Sequence, residues 1–235
     1  MVVSLKLDWA SSEAAKYACQ KFHYSGSMPS TQCRIGVWEN DKFIGVVLFG
    51  IGAGNSTNGI KYGLKKQEEV AELVRVALTK HETPVSRIIK IALQMMKKRN
   101  PGIRLVISFA DEMAQNHHGG IYQAGNWIYN GVFDGDGGFV INGKVVHSKT
   151  VNSRGWKQQV EWLRKNVDPN CTKSPTRKHR YLMPMDDEMK VRIAPLAKPY
   201  PKRAKKQDSE FPSELGGAVP TDTLQNKEST TNADG

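Results

Sequence analysis

Through roughly the first 150 positions, apolar residues come in short runs divided by polar turns, and each run has a readable period. Val2 to Leu7 reads as a strand and Ser11 to Phe22 as a helix, with Glu13 in the first turn where the helix dipole favours an acid. Cys33 to Trp38 and Lys42 to Gly50 are β-rich, and Glu39-Asn40-Asp41 between them predicts a hairpin. Gly52 to Gly59 reads as a loop, and Glu72 to Leu78 as a strand. Val85, Ile88, Ile89, Ala92, Leu93 and Met96 recur at helical spacing. That helix is given Thr83 as N-cap and Pro84 at its first position, and Asn100-Pro101-Gly102 stops it. Ile103 to Phe109 is a buried-type strand, Gly120 to Gly125 a short helix, and Trp127 to Phe133 and Phe139 to His147 two further strands with Asp134 to Gly138 as their turn. Alternation of strands and helices around one hairpin predicts an α/β fold, a mixed sheet with helices on both faces.

Beyond position 150 the pattern changes. Residues 1–150 carry a net charge of +6, residues 151–207 carry +10, and residues 208–235 carry −5. These shifts predict a compact α/β domain over 1–152, a basic extension over 153–206 and a disordered tail over 207–235, the tail being too poor in apolar side chains to order itself. A segment this basic is the electrostatic footprint of a polyanion partner. No apolar run is long enough to span a membrane, and the first ten residues do not read as a secretory signal. Cys19, Cys33 and Cys171 are odd in number and far apart, which suits a reducing cytoplasm better than a disulfide framework.

The chemistry concentrates after the Ile103 strand. Ser108-Phe109-Ala110-Asp111-Glu112 ends that strand, and open α/β sheets place ligands beyond the carboxyl ends of their strands. Asp111 is therefore a candidate base, metal ligand or acceptor, with a turn or cap role as the alternative. Gly119-Gly120 then permits close backbone approach, and Tyr122-Gln123 follows, a phenol usable as a general acid where positioned or else a core residue. Upstream, His23 closes the first helix beside Tyr24, either as a general base or as a C-cap facing the dipole. His117-His118 reads as a loop pair rather than a ligand pair, because adjacent side chains diverge. Glu72 and Arg75, three apart on one strand, are expected on opposite faces.

The stretch SFADEMAQNHHGGIYQAGNWIYNG, Ser108 to Gly131, resembles the Mom proteins of bacteriophages. The resemblance extends to Phe22-His23-Tyr24-Ser25, Ile35-Gly36-Val37, Gly45 to Gly50, Glu72-Leu73 with Arg75, Asp136-Gly137 and His147-Ser148. It implies a Gcn5-related N-acetyltransferase-like fold. It also implies an enzyme that converts the exocyclic amine of adenine in DNA to a carbamoylmethyl-type derivative, protecting phage DNA from host restriction in the host cytoplasm. An acetyltransferase of the same fold acting on a protein or small-molecule amine is the alternative. Asp111, Tyr122, His23 and Ser108 are the implied catalytic residues. Iron is associated with the family, with His23, Asp111 and His147 as candidate ligands. The fold places a pyrophosphate-binding loop before the long helix, where Lys80, Ser86 and Arg87 stand. Thr79 to Arg87 has no glycine, so acetyl-CoA and another acyl or amino-acyl donor both stay open, as does redox chemistry at a metal.

The implied partner is double-stranded DNA. A duplex buries adenine inside its stack, so the base is expected to flip out and stack on Tyr24, Trp38, Tyr122 or Trp127. Arg154, Lys157, Arg177, Lys178 and Arg180 are candidate phosphate contacts, with Lys173 to Tyr181 and Ala197 to Lys206 as arms along the backbone. Trp156 to Val167 reads as an amphipathic helix with Val160 and Leu163 on its apolar side. The oligomeric state stays open, a dimer included.

Overall fold

A computed structural model describes residues 3–202 apart from 52–56, 66, 113–117, 134–137, 147 and 175. Met1–Lys202 forms one compact unit, and Arg203–Gly235, with the expected tail, lies outside the described residues. The strands are β1 (Leu5–Trp9), β2 (Cys33–Glu39), β3 (Lys42–Gly50), β4 (Val70–Leu78), β5 (Leu105–Asp111), β6 (Ile128–Phe133), β7 (Phe139–Ile141), β8 (Lys144–Val146), β9 (Thr172–Lys173) and β10 (Lys178–Pro184). The helices are α1 (Ser12–Phe22), α2 (Val85–Arg99), α3 (Gly120–Gln123), α4 (Ser148–Ser153), α5 (Val160–Asn166) and α6 (Asp187–Ile193).

Seven strands make the central sheet in the order β1-β2-β3-β4-β5-β10-β6, and β8-β7-β9 make a small second sheet. Every pairing in the central sheet is antiparallel except β4 with β5. This is the mixed sheet expected from the sequence. One face carries α2 and α3 over Ile35, Val47, Phe49, Leu73 and Val106. The other carries α1 over Val46, Leu48 and Ala77, and α6 over Val70, Leu105, Ile107 and Leu182. The β2–β3 hairpin is tight because Asn40 and Asp41 both take positive φ, 49° and 60°, as a two-residue turn that follows the strands' twist requires.

Three local readings change. Thr83 does not cap α2; Pro84 holds that position without a side-chain cap, and the Thr83 hydroxyl bonds Glu39 instead. The run from Phe139 to His147 is broken at Asn142-Gly143 into two strands of the second sheet. The expected boundary at 152 is not where the structure divides, because the basic segment returns to the core. β10 lies between β5 and β6, with Tyr181 paired to Ser108 on one side and Tyr129 on the other. Its Tyr181 and Leu182 are fully buried, which holds the segment in the sheet despite its charge.

The segment between β6 and β10 folds on itself. α4, α5 and the small sheet enclose a separate core of Phe139, Ile141, Val151, Leu163 and Cys171. The amphipathic helix expected from Trp156 begins later, at Val160, and buries Leu163 as its apolar spacing predicts.

Candidate active-site cleft

β4 and β5 pair only from Val70 to Glu72 against Leu105 to Ile107. Beyond that point the two strands continue without pairing to each other, β4 to Leu78 and β5 to Asp111. The gap is a cleft of about 790 Å³, a size ordinary for small-molecule sites. Its walls include His23, Tyr24, Glu72, Arg75, Asp111, Gly119, Tyr122 and Lys178. The structure thus brings together His23, Tyr24, Asp111 and Tyr122 from separate parts of the chain.

Ser108 sits at the point where the strands part and is fully buried. Its Oγ lies 2.8 Å from the Leu73 carbonyl and 2.8 Å from the Tyr122 hydroxyl. A carbonyl only accepts, so Ser108 donates to Leu73 and Tyr122 donates to Ser108. Tyr122 is wedged between Trp127 and Tyr181, with ring centroids at 5.1 and 5.0 Å. Burial pushes its phenol up to about 12, so it is a neutral donor near neutral pH. Gly119, before α3, has φ 77°, and a Cβ there would stand 2.3 Å from the Tyr181 ring. Glycine is required on both counts. Tyr181 in turn bonds the His118 carbonyl and accepts from Gln123 at 3.2 Å, which anchors the α3 turn to β10.

Glu72 and Arg75 share a face, contrary to expectation. Leu48 pairs with Arg75 and Phe49 with Leu73, so Val74 is an extra residue on β4 and the side-chain alternation slips by one. Arg75 thereby reaches His23, with its guanidinium 3.2 Å from Nδ1. The same nitrogen accepts the Ser25 backbone N–H at 3.1 Å. Nδ1 is therefore committed to closing the α1 terminus. The face of Tyr24 lies 4.2 Å from the His23 ring, and burial followed by the nearby Asp111 carboxylate raises the Tyr24 phenol.

Of the four aromatics named for base stacking, Tyr24 is exposed and lines the cleft. Trp127 and Tyr122 are buried in the core, and Trp38 packs on Phe43 at the hairpin. Phe109, which sequence reasoning passed over, also lines the cleft, 6.2 Å from Phe133.

Of the metal ligands expected from sequence, only His23 and Asp111 fall among the described residues. His147 lies outside the described residues, as does His117. Among the described residues, three His, Cys, Asp or Glu side chains come within 4.8 Å of one another at Glu112, His118 and His179, a group without His23 or Asp111. There His179 bonds Glu112 through Nε2 at 3.1 Å and Tyr129 through Nδ1 at 2.9 Å, and burial lowers its pKa. Arg177 pairs with the same Glu112 oxygen at 3.0 Å.

The first turn of α2 holds Ser86, half-buried, and Arg87, exposed, and the loop before it holds Lys80, exposed. Its anion-binding capacity is partly taken. Glu39, buried at the end of β2, accepts the backbone N–H groups of Glu82 and Thr83 at 2.9 and 2.8 Å and the Thr83 hydroxyl at 2.7 Å. Those bonds, the Thr83 hydroxyl foremost, hold its carboxyl below the usual range. The Glu82 and Thr83 amides are thereby taken by Glu39, ahead of the Val85 and Ser86 amides that begin α2.

The expected DNA contacts divide. Arg154 and Lys157 are exposed on the segment between β6 and β10. Arg177, Lys178 and Arg180 are not on a free arm: Arg177 pairs with Glu112, Lys178 stands 4.0 Å from Asp111, and Arg180 is partly buried in β10 over Phe133. Of the second expected arm, Ala197 to Tyr200 runs along β6, where Lys198 N–H bonds the Tyr129 carbonyl and Tyr200 donates to the Trp127 carbonyl.

The profile of the Mom protein family matches residues 4–202, nearly the whole described unit. The chain belongs to the Mom protein family. The matched span includes the cleft residues and the strand β10 that closes the sheet beside them. No curated protein matches this Mom family member. Its fold is similar to solved acetyltransferases. One is an N-acetyltransferase from Staphylococcus aureus Mu50, at 12% identity over 78% of this chain and 99% of that one, with a TM-score of 0.45. Another is an acetyltransferase of the GNAT family from Streptococcus pneumoniae, at 10% identity over 78% and 100%, with a TM-score of 0.44. A third is a Bacillus subtilis acetyltransferase in complex with CoA, at 11% identity over 79% and 100%, with a TM-score of 0.41.

Proposed function

We propose that this Mom family member modifies the exocyclic amine of adenine in double-stranded DNA, producing a carbamoylmethyl-type derivative that protects phage DNA from restriction in the host cytoplasm. The observation that carries the reading is the cleft where β4 and β5 part: a family signature strand ends there in Asp111, with the buried Ser108–Tyr122 hydroxyl pair behind it and an exposed Tyr24 at its side.

Adenine's exocyclic nitrogen is a weak nucleophile because its lone pair is delocalised into the ring. Its attack needs an acceptor for the amine proton and a donor for charge developing on the electrophile. Asp111 is the acceptor: a carboxylate at a strand end, held in place by Lys178 at 4.0 Å. Tyr122 is the donor. If both hydroxyls turn, Ser108 donates to Tyr122 and the Tyr122 proton faces the cleft, at the loss of the Leu73 bond. Tyr24 stacks on the flipped base. His23, with Nδ1 committed, holds Tyr24 and Arg75 rather than taking the proton. In a carbamoylmethyl product the carbon joined to nitrogen is a methylene, so what a bound donor would supply is a carbamoylmethyl carbon bearing a leaving group, which departs as the N–C bond forms and the amine proton passes to Asp111. Were that donor to carry coenzyme A, Val85, Ser86, Lys80 and Arg87 are the residues that would hold its pyrophosphate.

Mass spectrometry of nucleosides from the DNA of cells expressing the chain tests this. A modified deoxyadenosine is expected, lost in Asp111→Ala and reduced at least tenfold in Tyr122→Phe. Acyl transfer to a protein or small-molecule amine with DNA unchanged overturns it.

A further inference from the structure

Phe133 at the end of β6 pairs directly with Lys178 at the start of β10. Residues 134–177 are therefore the loop of a hairpin in the central sheet, and most of that loop has become a folded unit with its own core. Its charge is one-sided. Residues 138–174 hold seven Lys or Arg against two Asp or Glu. Of the two acids, Asp168 is buried and spends its carboxylate on the backbone N–H groups of Asn142 and Asn170, at 2.6 and 2.9 Å. Glu161 is the acid that residues 138–174 expose to solvent among the described residues. Lys144, Arg154, Lys157, Arg164, Lys165 and Lys173 are all exposed, and Arg154 lies over the Trp156 ring at 5.0 Å. Lys178, at the root of the unit, lines the cleft.

We infer that this inserted unit is the duplex-docking module of the protein: it grips the phosphate backbone and, being rooted at the cleft wall, delivers the adjacent base to the cleft. The inference rests on the DNA reading above for its partner, and on the unit's own charge and topology for its place. The cleft-side cations of the core domain are less suited to that task, because Arg177 and Lys178 face Glu112 and Asp111. Phosphate contacts by exposed lysines fix register without reading sequence, so the unit supplies affinity and position while the cleft supplies the chemistry.

The experiment is binding of a fluorescent 20-base-pair duplex by the full chain, measured by anisotropy at several salt concentrations. The first variant is Lys144→Gln, Arg154→Gln, Lys157→Gln and Lys165→Gln together, all at exposed positions. The second replaces residues 134–177 by Asn-Gly, joining β6 to β10 as a tight hairpin. The four-site variant should bind at least about tenfold more weakly at 0.1 M salt. Its slope of log affinity against log salt should be shallower by about 0.9 for each phosphate that is no longer neutralised. The hairpin variant should lose binding while keeping the central sheet's circular dichroism. Unchanged affinity and slope in the four-site variant overturn the proposal, as does an RNA that competes better than the duplex. Wild-type binding with no modified nucleoside would leave the docking module standing and remove only the reaction. A modified nucleoside made equally well by the four-site variant would remove the module and leave the reaction.

Discussion

The cleft and the inserted unit solve opposite problems with opposite materials. At the cleft, polar groups are buried and must be answered by partners within the protein. Ser108 is answered by Leu73 and Tyr122. On the inserted unit Lys144, Arg154, Lys157 and Lys165 stand exposed to water, while Asp168 is buried on backbone N–H groups. The core below them is a few aliphatic and aromatic side chains around Phe139 and Leu163. Buried hydrogen bonds fix position to fractions of an ångström, as chemistry requires. Solvated cations act over a Debye length and tolerate misplacement, as capture of a long polyanion allows.

The contrast breaks most sharply at Gly119. Gly119→Ala adds a Cβ against the Tyr181 ring in a left-handed conformation, and should destabilise the central unit by about 4 kcal/mol, read as a lower denaturant midpoint. Leu163→Ala, by contrast, should cost about 2–4 kcal/mol within the inserted unit alone. Hydrogen exchange would show residues 138–174 opening while β4, β5 and β10 stay protected. Equal loss of protection in both regions would mean that the two cores are one.

The same two regions differ in how much of them the sequence makes legible. Local signals served well for the hairpin, the long helix and the strand ending at Asp111. Leu163 in its helix was also named from the chain, as were His23, Tyr24, Asp111 and Tyr122 on the cleft walls. What escaped depended on partners far away. The Lys178–Pro184 segment is dense in charge and reads as a solvated arm; only its pairing to β5 and β6 makes it a strand, though the run Tyr181-Leu182-Met183 was a signal. The slip at Val74 is a property of how β4 pairs with β3, invisible in β4 alone, and it moved Arg75 to the face of Glu72. Glu39 looked like a turn residue, and only the fold sets it against a loop more than forty residues on.

Ser108→Ala sharpens the comparison at a smaller scale. It leaves the Leu73 carbonyl and Tyr122 hydroxyl without their shared partner, at a cost of about 1–3 kcal/mol and a larger proportional loss of modified nucleoside than of stability. Acid probes a third scale. Asp186 accepts two bonds from Arg104, at 2.9 and 3.0 Å, which draw its pKa to about 2. Its folded value lies below its ordinary 3.8, so its contribution is complete above that pH and disappears as pH falls toward 2. Melting temperature should drop over that window, and Asp186→Asn should flatten the drop, at a cost near neutral pH of about 1 kcal/mol. Smallest of all, Lys157→Gln alone should leave stability unchanged and lower the salt slope of duplex binding by about 0.9 or less.

The place of β10 also orders events in time. β6 is synthesised more than forty residues before the strand that joins it to the sheet. Until β10 arrives, β5 and β6 both present bare edges, the cleft lacks Lys178, and Tyr122 lacks the Tyr181 ring it packs against. Contacts of such separation form late, since loop closure must precede any reward from pairing. The inserted unit can complete its own small core in that interval and bring the ends of the loop together. A nascent chain would then hold the proposed docking unit, already folded, before it holds a finished cleft wall, and slow maturation of the proposed activity relative to duplex binding would be the kinetic mark of this topology.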